Sequence, residues 1–355
     1  MAQKYLSLSE LIEAIEERQP SDIFLKVDEP PLFKIKGKIV TSGLPRLDEQ
    51  NIFLLLQEID KEAPHLLSEN KDLDISYGIR GSDGKFGSLR VSALYQQLGK
   101  PELILRTISR KSPTFEDLSL PPKVRELIVH MLGHESGLIL IAGGTGSGKS
   151  SLLSAMINHL VYDYSNPRHI LIIEDPIERM WGDQDLDYES GSVRAVIDHR
   201  EVGKDTKGFK EALKGALRQA LDIIVVGEIR ERETTELILQ AAQTGHLVIS
   251  TLHAMDTAQG INKVIHFFED NQQESIRLQL ADCLIGVISQ RLLKRAYTIA
   301  EQVALIEIME CNDKIKRIIR EKVDRKKINE EIEKGKDTQS FSQHQRELKR
   351  FDFIE

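Results

Sequence analysis

Residues 143–150 read Gly-Gly-Thr-Gly-Ser-Gly-Lys-Ser, set between an apolar run at 138–142 and a stretch of helical spacing at 151–161. Gly143, Gly148, Lys149 and Ser150 satisfy G-x-x-x-x-G-K-[ST], a phosphate-binding loop. A loop that closes on phosphate needs residues without Cβ atoms, so that backbone N–H groups can turn inward. Gly144 and Gly146 loosen it further, and Thr145, Ser147 and Ser151 complete the residues expected to meet the nucleotide. The following helix adds unpaired donors and the positive end of its dipole. Lys149 is placed for the β- and γ-phosphates and Ser150 for Mg²⁺. These requirements predict strand, loop and helix in succession within an α/β sheet, with a nucleoside triphosphate and Mg²⁺ at the junction.

At 355 residues the chain fits about two domains, and 40% apolar content suffices for two cores. A net charge of −8 argues against nucleic acid as the main ligand. The two cysteines, Cys283 and Cys311, exclude a disulfide framework and a four-cysteine zinc site. The first residues lack the layout of a secretory signal, and no run approaches ~20 apolar residues. A cytoplasmic protein is expected, with a peripheral seat on a membrane machine left open.

Ser7 and Glu10 form a capping box ahead of Leu8, Leu11, Ile12 and Ile15, a helix that Pro20 closes. Strands are predicted at 23–27 and 32–40, a helix at 48–61, then strands at 73–79, 87–95 and 102–108, the first two of these three separated by a turn at 81–84. This pattern describes an α+β domain over 1–110, followed by a proline-marked linker at 111–122. From 123 to 355, short apolar strands alternate with helices, which implies a parallel sheet covered on both faces. Its strands are read at 138–142, 170–173, 223–226, 248–251 and 303–308. Its helices are read at 123–132, 151–161, 208–221, 232–244, 257–268 and 272–291. The tail after 312 reads as helical with Ile315, Ile318 and Ile319 as its apolar stripe, and the charge run 314–336 as a solvated helical surface.

Functional groups of such sheets gather beyond the carboxyl ends of the strands. Glu174, Asp175 and Glu178 follow one strand, and Glu228 and Arg230 follow another. His246 and His253 bracket a third and are candidates to donate to the γ-phosphate. Glu228 is the expected water-activating carboxylate or Mg²⁺-steering group, with Glu174 and Glu178 as further catalytic candidates. Asp222 lies ~20 Å away at the other end of the strand and is expected to terminate the preceding segment. If 97–99 is a hairpin loop with Gly99 left-handed, Arg90 and Arg106 face each other, a like-charge cost that a bound phosphate would reverse.

Taken together, 143–151, Ile-Glu-Asp-Pro-Ile-Glu ending at Glu178, Val-Gly-Glu-Ile-Arg ending at Arg230, and Thr-Gly-His-Leu-Val…Thr-Leu-His ending at His253 resemble the secretion-type hexameric ATPases. Ser-Asp-Ile-Phe-Leu at 21–25, the two arginine strands and 315–321 extend the resemblance over nearly the whole chain. It implies a RecA-like P-loop ATPase domain with a parallel sheet, preceded by a smaller PAS-like α+β domain. It further implies a homohexamer, Glu228 as catalytic glutamate, Glu178 as a second functional carboxylate, and Arg90 and Arg106 reaching phosphates. Two cysteines and a start directly at the first domain favour the motors of type IV pilus retraction over assembly or type II secretion ATPases. The partner implied is a platform protein at the inner face of the cytoplasmic membrane. A non-motor ATP-dependent regulator of the same machine is the alternative. Gln219, Ala220 and Leu221 depart from the family's usual Glu-Asp-Pro.

Overall fold

The computed structural model describes residues 5–35, 37–70, 72–80, 86–96, 99–108, 112–163, 165–179, 181, 195–296, 302–335, 337–351 and 353–354. The chain divides into two compact units, Met1–Lys111 with Pro176–Gln184 and Ser112–Asp175 with Asp185–Glu355.

In the first unit, α1 (Leu8–Arg18) starts at the anticipated capping box and buries Leu8, Leu11 and Ile15. It is followed by β1 (Asp22–Lys26), β2 (Leu32–Ile35), β3 (Lys38–Thr41), α2 (Glu49–Ile59), α3 (Ala63–Asn70), β4 (Asp72–Arg80), β5 (Phe86–Tyr95) and β6 (Pro101–Ile108). The described strands form one antiparallel sheet in the order β3-β2-β1-β6-β5-β4. Its buried face carries Ile23, Leu25, Phe33, Leu89 and Leu105 against Leu55 and Leu56 of α2. The expected single strand over 32–40 is instead a hairpin, with Ile35 paired to Lys38 and Gly37 at φ +79°. Alternation of side chains runs through a tight turn as readily as along a strand, and only Gly37 marks the reversal. The turn expected at 81–84 lies outside the described residues.

The second unit contains α4 (Pro122–Leu132), β7 (Gly137–Ala142), α5 (Lys149–Val161), β8 (His169–Glu174), β9 (Val196–Glu201), α6 (Phe209–Ala216) and β10 (Ile223–Val226). Next come α7 (Arg232–Gln243), β11 (Leu247–Leu252), α8 (Thr257–His266), α9 (Asp270–Cys283), β12 (Leu284–Lys294) and β13 (Gln302–Glu310). The chain ends in α10 (Asp313–Glu321), α11 (Arg325–Lys334), β14 (Thr338–Gln339) and α12 (Phe341–Arg350). The described strands order as β14-β13-β12-β7-β11-β10-β8-β9. From β12 to β9 the sheet is parallel, as expected, while β13 and β14 are antiparallel additions at one edge. Every residue of β7, β10 and β11 is buried, which is why these segments are apolar apart from the hydrogen-bonded Ser250 and Thr251.

Three readings need correction. The helix expected over 272–291 stops at Cys283 and passes straight into β12. A short apolar run such as Leu284–Ile288 suits a buried helix or strand equally, and parallel pairing with β7 makes this one a strand. The helix expected to reach 221 ends at Ala216. The charge run 314–336 is not merely solvated: α10 and α11 bury Ile315, Ile319, Ile328 and Ile332 in the main core. Further along the tail, fully buried His344 accepts from Ile306 N at 2.9 Å and ties α12 to β13. Burial pushes its imidazole down to about 4, so it is neutral and able to accept at pH 7.

Candidate functional site

β7 lies between β11 and β12, pairing Ala142 with Leu252 on one side and Ser289 on the other. The chain then leaves the sheet through Gly143, whose N–H donates to Leu252 O at 3.3 Å. Gly146 (φ +72°) and Gly148 (φ +86°) occupy the left-handed region that side chains disfavour. Close approach adds a second demand for glycine. A Cβ on Gly143 would lie 2.3 Å from Ser147 Oγ and 2.7 Å from Gln290 O, and one on Gly148 would lie 2.5 Å from Gln290 Nε2.

Lys149 opens α5, and its buried ammonium donates to Gly143 O and Gly144 O, both at 2.9 Å. Among the described residues no side chain caps the helix, which leaves its first N–H groups to the loop. Ser147 Oγ is buried without a hydrogen-bond partner among the described residues. Thr145, Gly146 and Ser150 are exposed, and Gly144 and Ser151 are half-buried. A cradle that a Cβ would fill, an orphaned hydroxyl and an uncapped helix start fit a polyphosphate. Exposed Ser150, in the first turn of α5, fits a Mg²⁺ ligand there. Gln290, 2% exposed beneath the loop with Oε1 unpartnered among the described residues, was not anticipated. A lone amide in an apolar strand is the signal, legible only once 284–294 is read as a strand.

At the carboxyl end of β10, Glu228 is enclosed by donors. Its Oε1 lies 3.0 Å from His253 Nε2, and its Oε2 accepts from Arg230 Nε at 2.9 Å. Arg230 also meets Asp175 at 3.8 Å, and Lys263 Nζ donates to His253 O at 2.9 Å. The turn beneath is stapled to β11, where Ser250 Oγ donates to Val226 O at 2.7 Å and Thr251 Oγ1 to Gly227 O at 2.6 Å. The structure thus gathers Glu228, His253, Arg230 and Asp175 beyond the carboxyl ends of β10, β11 and β8, with β11 lying between β10 and β7. Glu174, at the end of the neighbouring β8, meets His199 Nε2 through Oε2 at 2.8 Å. His199 was not anticipated because no strand was predicted over 196–201; residues 182–194 before it lie outside the described residues.

His246 is not part of this cluster. It precedes β11, where its Nδ1 lies 3.2 Å from Ala241 O. Parallel strands put all their first residues at one end of the sheet, so roughly 20 Å of strand separates His246 from His253 within one chain. Asp222 ends the preceding segment as expected, accepting from His169 N at 2.7 Å. Glu178 is exposed and falls in the segment that groups with the first unit.

In that unit Arg90 and Arg106 are directly opposed, as expected, with Gly99 left-handed at φ +71°. Gln97 and Leu98 of the loop lie outside the described residues. Carboxylates already relieve the like-charge contact. Arg106 Nε donates to Asp22 Oδ1 at 2.9 Å, and Arg90 lies 3.6 Å from Asp74. Burial disfavours the Asp22 charge, but the hydrogen bonds from Arg106 and Ser21 hold its carboxyl below the ordinary value. Repulsion therefore supplies no argument for a phosphate between the two arginines.

Residues 4–351 match the protein family described as Type II/IV secretion system protein. The type IV pilus retraction ATPase PilT of Pseudomonas aeruginosa is 35% identical over 318 residues, 89% of this chain and 86% of that protein. A twitching motility protein of Neisseria gonorrhoeae is 32% identical over 292 residues, 82% of this chain and 72% of that one. The crystal structure of the pilus retraction motor PilT with bound ADP superposes with a TM-score of 0.84 at 35% identity, covering 99% of this chain and 95% of that one. The α/β architecture described above is that of these RecA-like secretion ATPases.

Proposed function

The chain belongs to the Type II/IV secretion system protein family, and we propose that it is an ATP-hydrolysing motor of type IV pilus retraction. The observation that carries this reading is the Glu228 carboxylate held by His253 and Arg230 at the end of β10, with β11 between it and the strand that leads into an intact phosphate loop. The similarity to a retraction ATPase along most of both chains supports the choice of machine.

In this reading the loop N–H groups, Lys149 and the start of α5 bind and orient the triphosphate. Ser150, with Glu228 nearby in the shell, would hold Mg²⁺, which when bound neutralises charge on the β- and γ-phosphoryl oxygens. Glu228 orients the attacking water and accepts its proton, and His253 keeps the carboxylate aimed. The chain acts as a homohexamer of a PAS-like domain (1–110), a linker (111–122) and a RecA-like domain (123–355). It sits at the cytoplasmic face of a membrane on a platform protein. Among the described residues no helix is long and apolar enough to cross a membrane.

Arg90 and Arg106 serve turnover in the ring by meeting a nucleotide's phosphates. Arg90→Ala and Arg106→Ala are expected to bind ATP within a few-fold of wild type yet hydrolyse it roughly tenfold or more slowly. Near-normal phosphate release by both would leave them as ion-paired surface charges. The functional reading itself is tested by deletion. Loss of twitching with excess surface pili is expected. Loss of the pili themselves would identify an assembly ATPase, and a Glu228→Gln allele that restores twitching would favour a non-motor regulator.

A further inference from the structure

α4 and β13 meet at the amino-terminal end of the parallel sheet, away from the phosphate loop. The helix is assigned to Leu132, but Gly133 keeps right-handed helical dihedrals (φ −73°, ψ −11°) and His134 N donates to Met131 O at 3.3 Å. His130 and His134 therefore stand one turn apart on one face. Their rings meet edge to face, with centroids 5.7 Å apart and planes at 81°. Glu310, the last residue of β13, brings Oε1 to 3.3 Å from His130 Nδ1. Its other oxygen is buried without a partner among the described residues. One donor atom from each of the three side chains lies within 4.8 Å of the others.

We propose that His130, His134 and Glu310 form a binding site for a divalent transition-metal ion of the zinc type, separate from the nucleotide's Mg²⁺. Two imidazoles and a carboxylate suit zinc and its neighbours, whereas Mg²⁺ and Ca²⁺ take oxygen ligands. The 3.3 Å between His130 Nδ1 and Glu310 Oε1 suits two ligands of one ion and is long for a charge-assisted hydrogen bond. Charge-assisted N–H···O contacts close to about 2.7–2.9 Å. Ligands at zinc bond lengths stand about 3.3–3.4 Å apart along the edge of a tetrahedron. A cation would compensate the buried Glu310 oxygen, which has no partner among the described residues, for its lost hydration. A cation here also meets the carboxyl end of α4, where the helix dipole favours positive charge.

The site opens beside a pocket of roughly 400 Å³ lined by His134, Gly137, Asp282, Glu310 and Lys316, leaving room for water as the fourth ligand. β7 separates this end from the phosphate loop by roughly 20 Å. Bound metal would pin the end of α4 to β13.

The test uses the untagged, nucleotide-free full chain with Co²⁺ and Zn²⁺ as probes. One Co²⁺ per chain is expected to bind in the micromolar range, with visible d–d bands that Zn²⁺ abolishes by displacement. Zn²⁺ is also expected to raise Tm. His130→Ala and His134→Ala replace exposed residues and should fold. Each should weaken binding by more than the 10–100-fold that loss of an outer partner costs. Both should cancel the Tm shift and leave Mg²⁺-dependent ATP turnover, measured without added Zn²⁺ or Co²⁺, unchanged. Glu310→Gln should weaken binding likewise. Absence of saturable Co²⁺ binding, unchanged affinity in both histidine variants, or a near-ultraviolet thiolate-to-cobalt band would each overturn the assignment.

Discussion

Lys149→Ala is expected to weaken ATP binding by roughly 100-fold or more and to abolish measurable turnover. The wild-type ammonium is buried at the start of α5 and is held by Gly143 O and Gly144 O, both at 2.9 Å. The cation is therefore already desolvated and fixed inside the loop, where phosphate oxygens can replace those carbonyl partners. Hydrogen bonds to a charged partner contribute about 1.5–3 kcal/mol each, so losing two on the phosphates passes two decades in affinity. Alanine also removes the only positive side chain of the motif, while the helix dipole and loop N–H groups remain. Titration with a fluorescent ATP analogue measures the first effect and steady-state phosphate release the second. Affinity and turnover within a few-fold of wild type would remove the loop from the nucleotide site.

Glu228→Gln is expected to keep ATP binding within a few-fold and to cut hydrolysis by roughly 10²–10⁴. The amide preserves the shape of the carboxylate but cannot take the proton of the attacking water. One glutamine oxygen can still accept from Arg230 Nε, now 2.9 Å from Glu228 Oε2, so the turn at the end of β10 should persist. The staples from Ser250 and Thr251 to that turn do not involve the Glu228 side chain. A slow variant with intact binding thus reads out chemistry rather than folding. Turnover close to wild type would transfer the role of base to another carboxylate. Glu174 would then come first, because His199 Nε2 already holds it at 2.8 Å beside the same sheet edge.

Local chemistry explains what could be read before the fold. The phosphate loop, the capping box at Ser7 and the buried strands β7, β10 and β11 are each written within about ten consecutive residues. Their requirements are local: a missing Cβ, a hydroxyl three residues before an acid, or a largely apolar run. The opposition of Arg90 and Arg106 was legible for the same reason, because a short loop with left-handed Gly99 sets the register of the strands it joins. Strand 284–294 was misread because an apolar run of that kind has the same composition in a helix and in a buried strand. Its neighbour β7, about 140 residues earlier, decides the matter by pairing with it.

The sequence by itself therefore determined the kind of machine: strand, glycine loop and lysine helix for nucleotide, with acids and histidines following later strands. Only the tertiary structure decided which of those groups meet. It brought His253 to Glu228 and left His246 at the far end of β11, because parallel pairing gives the strand ends opposite surroundings. It set Gln290 beneath the loop and His199 against Glu174, and it supplied Asp22 and Asp74 to the two arginines. Strand order and side-chain partnership arise from packing between distant segments, where burial and unpaired hydrogen-bonding groups select one arrangement, and no local pattern carries that information.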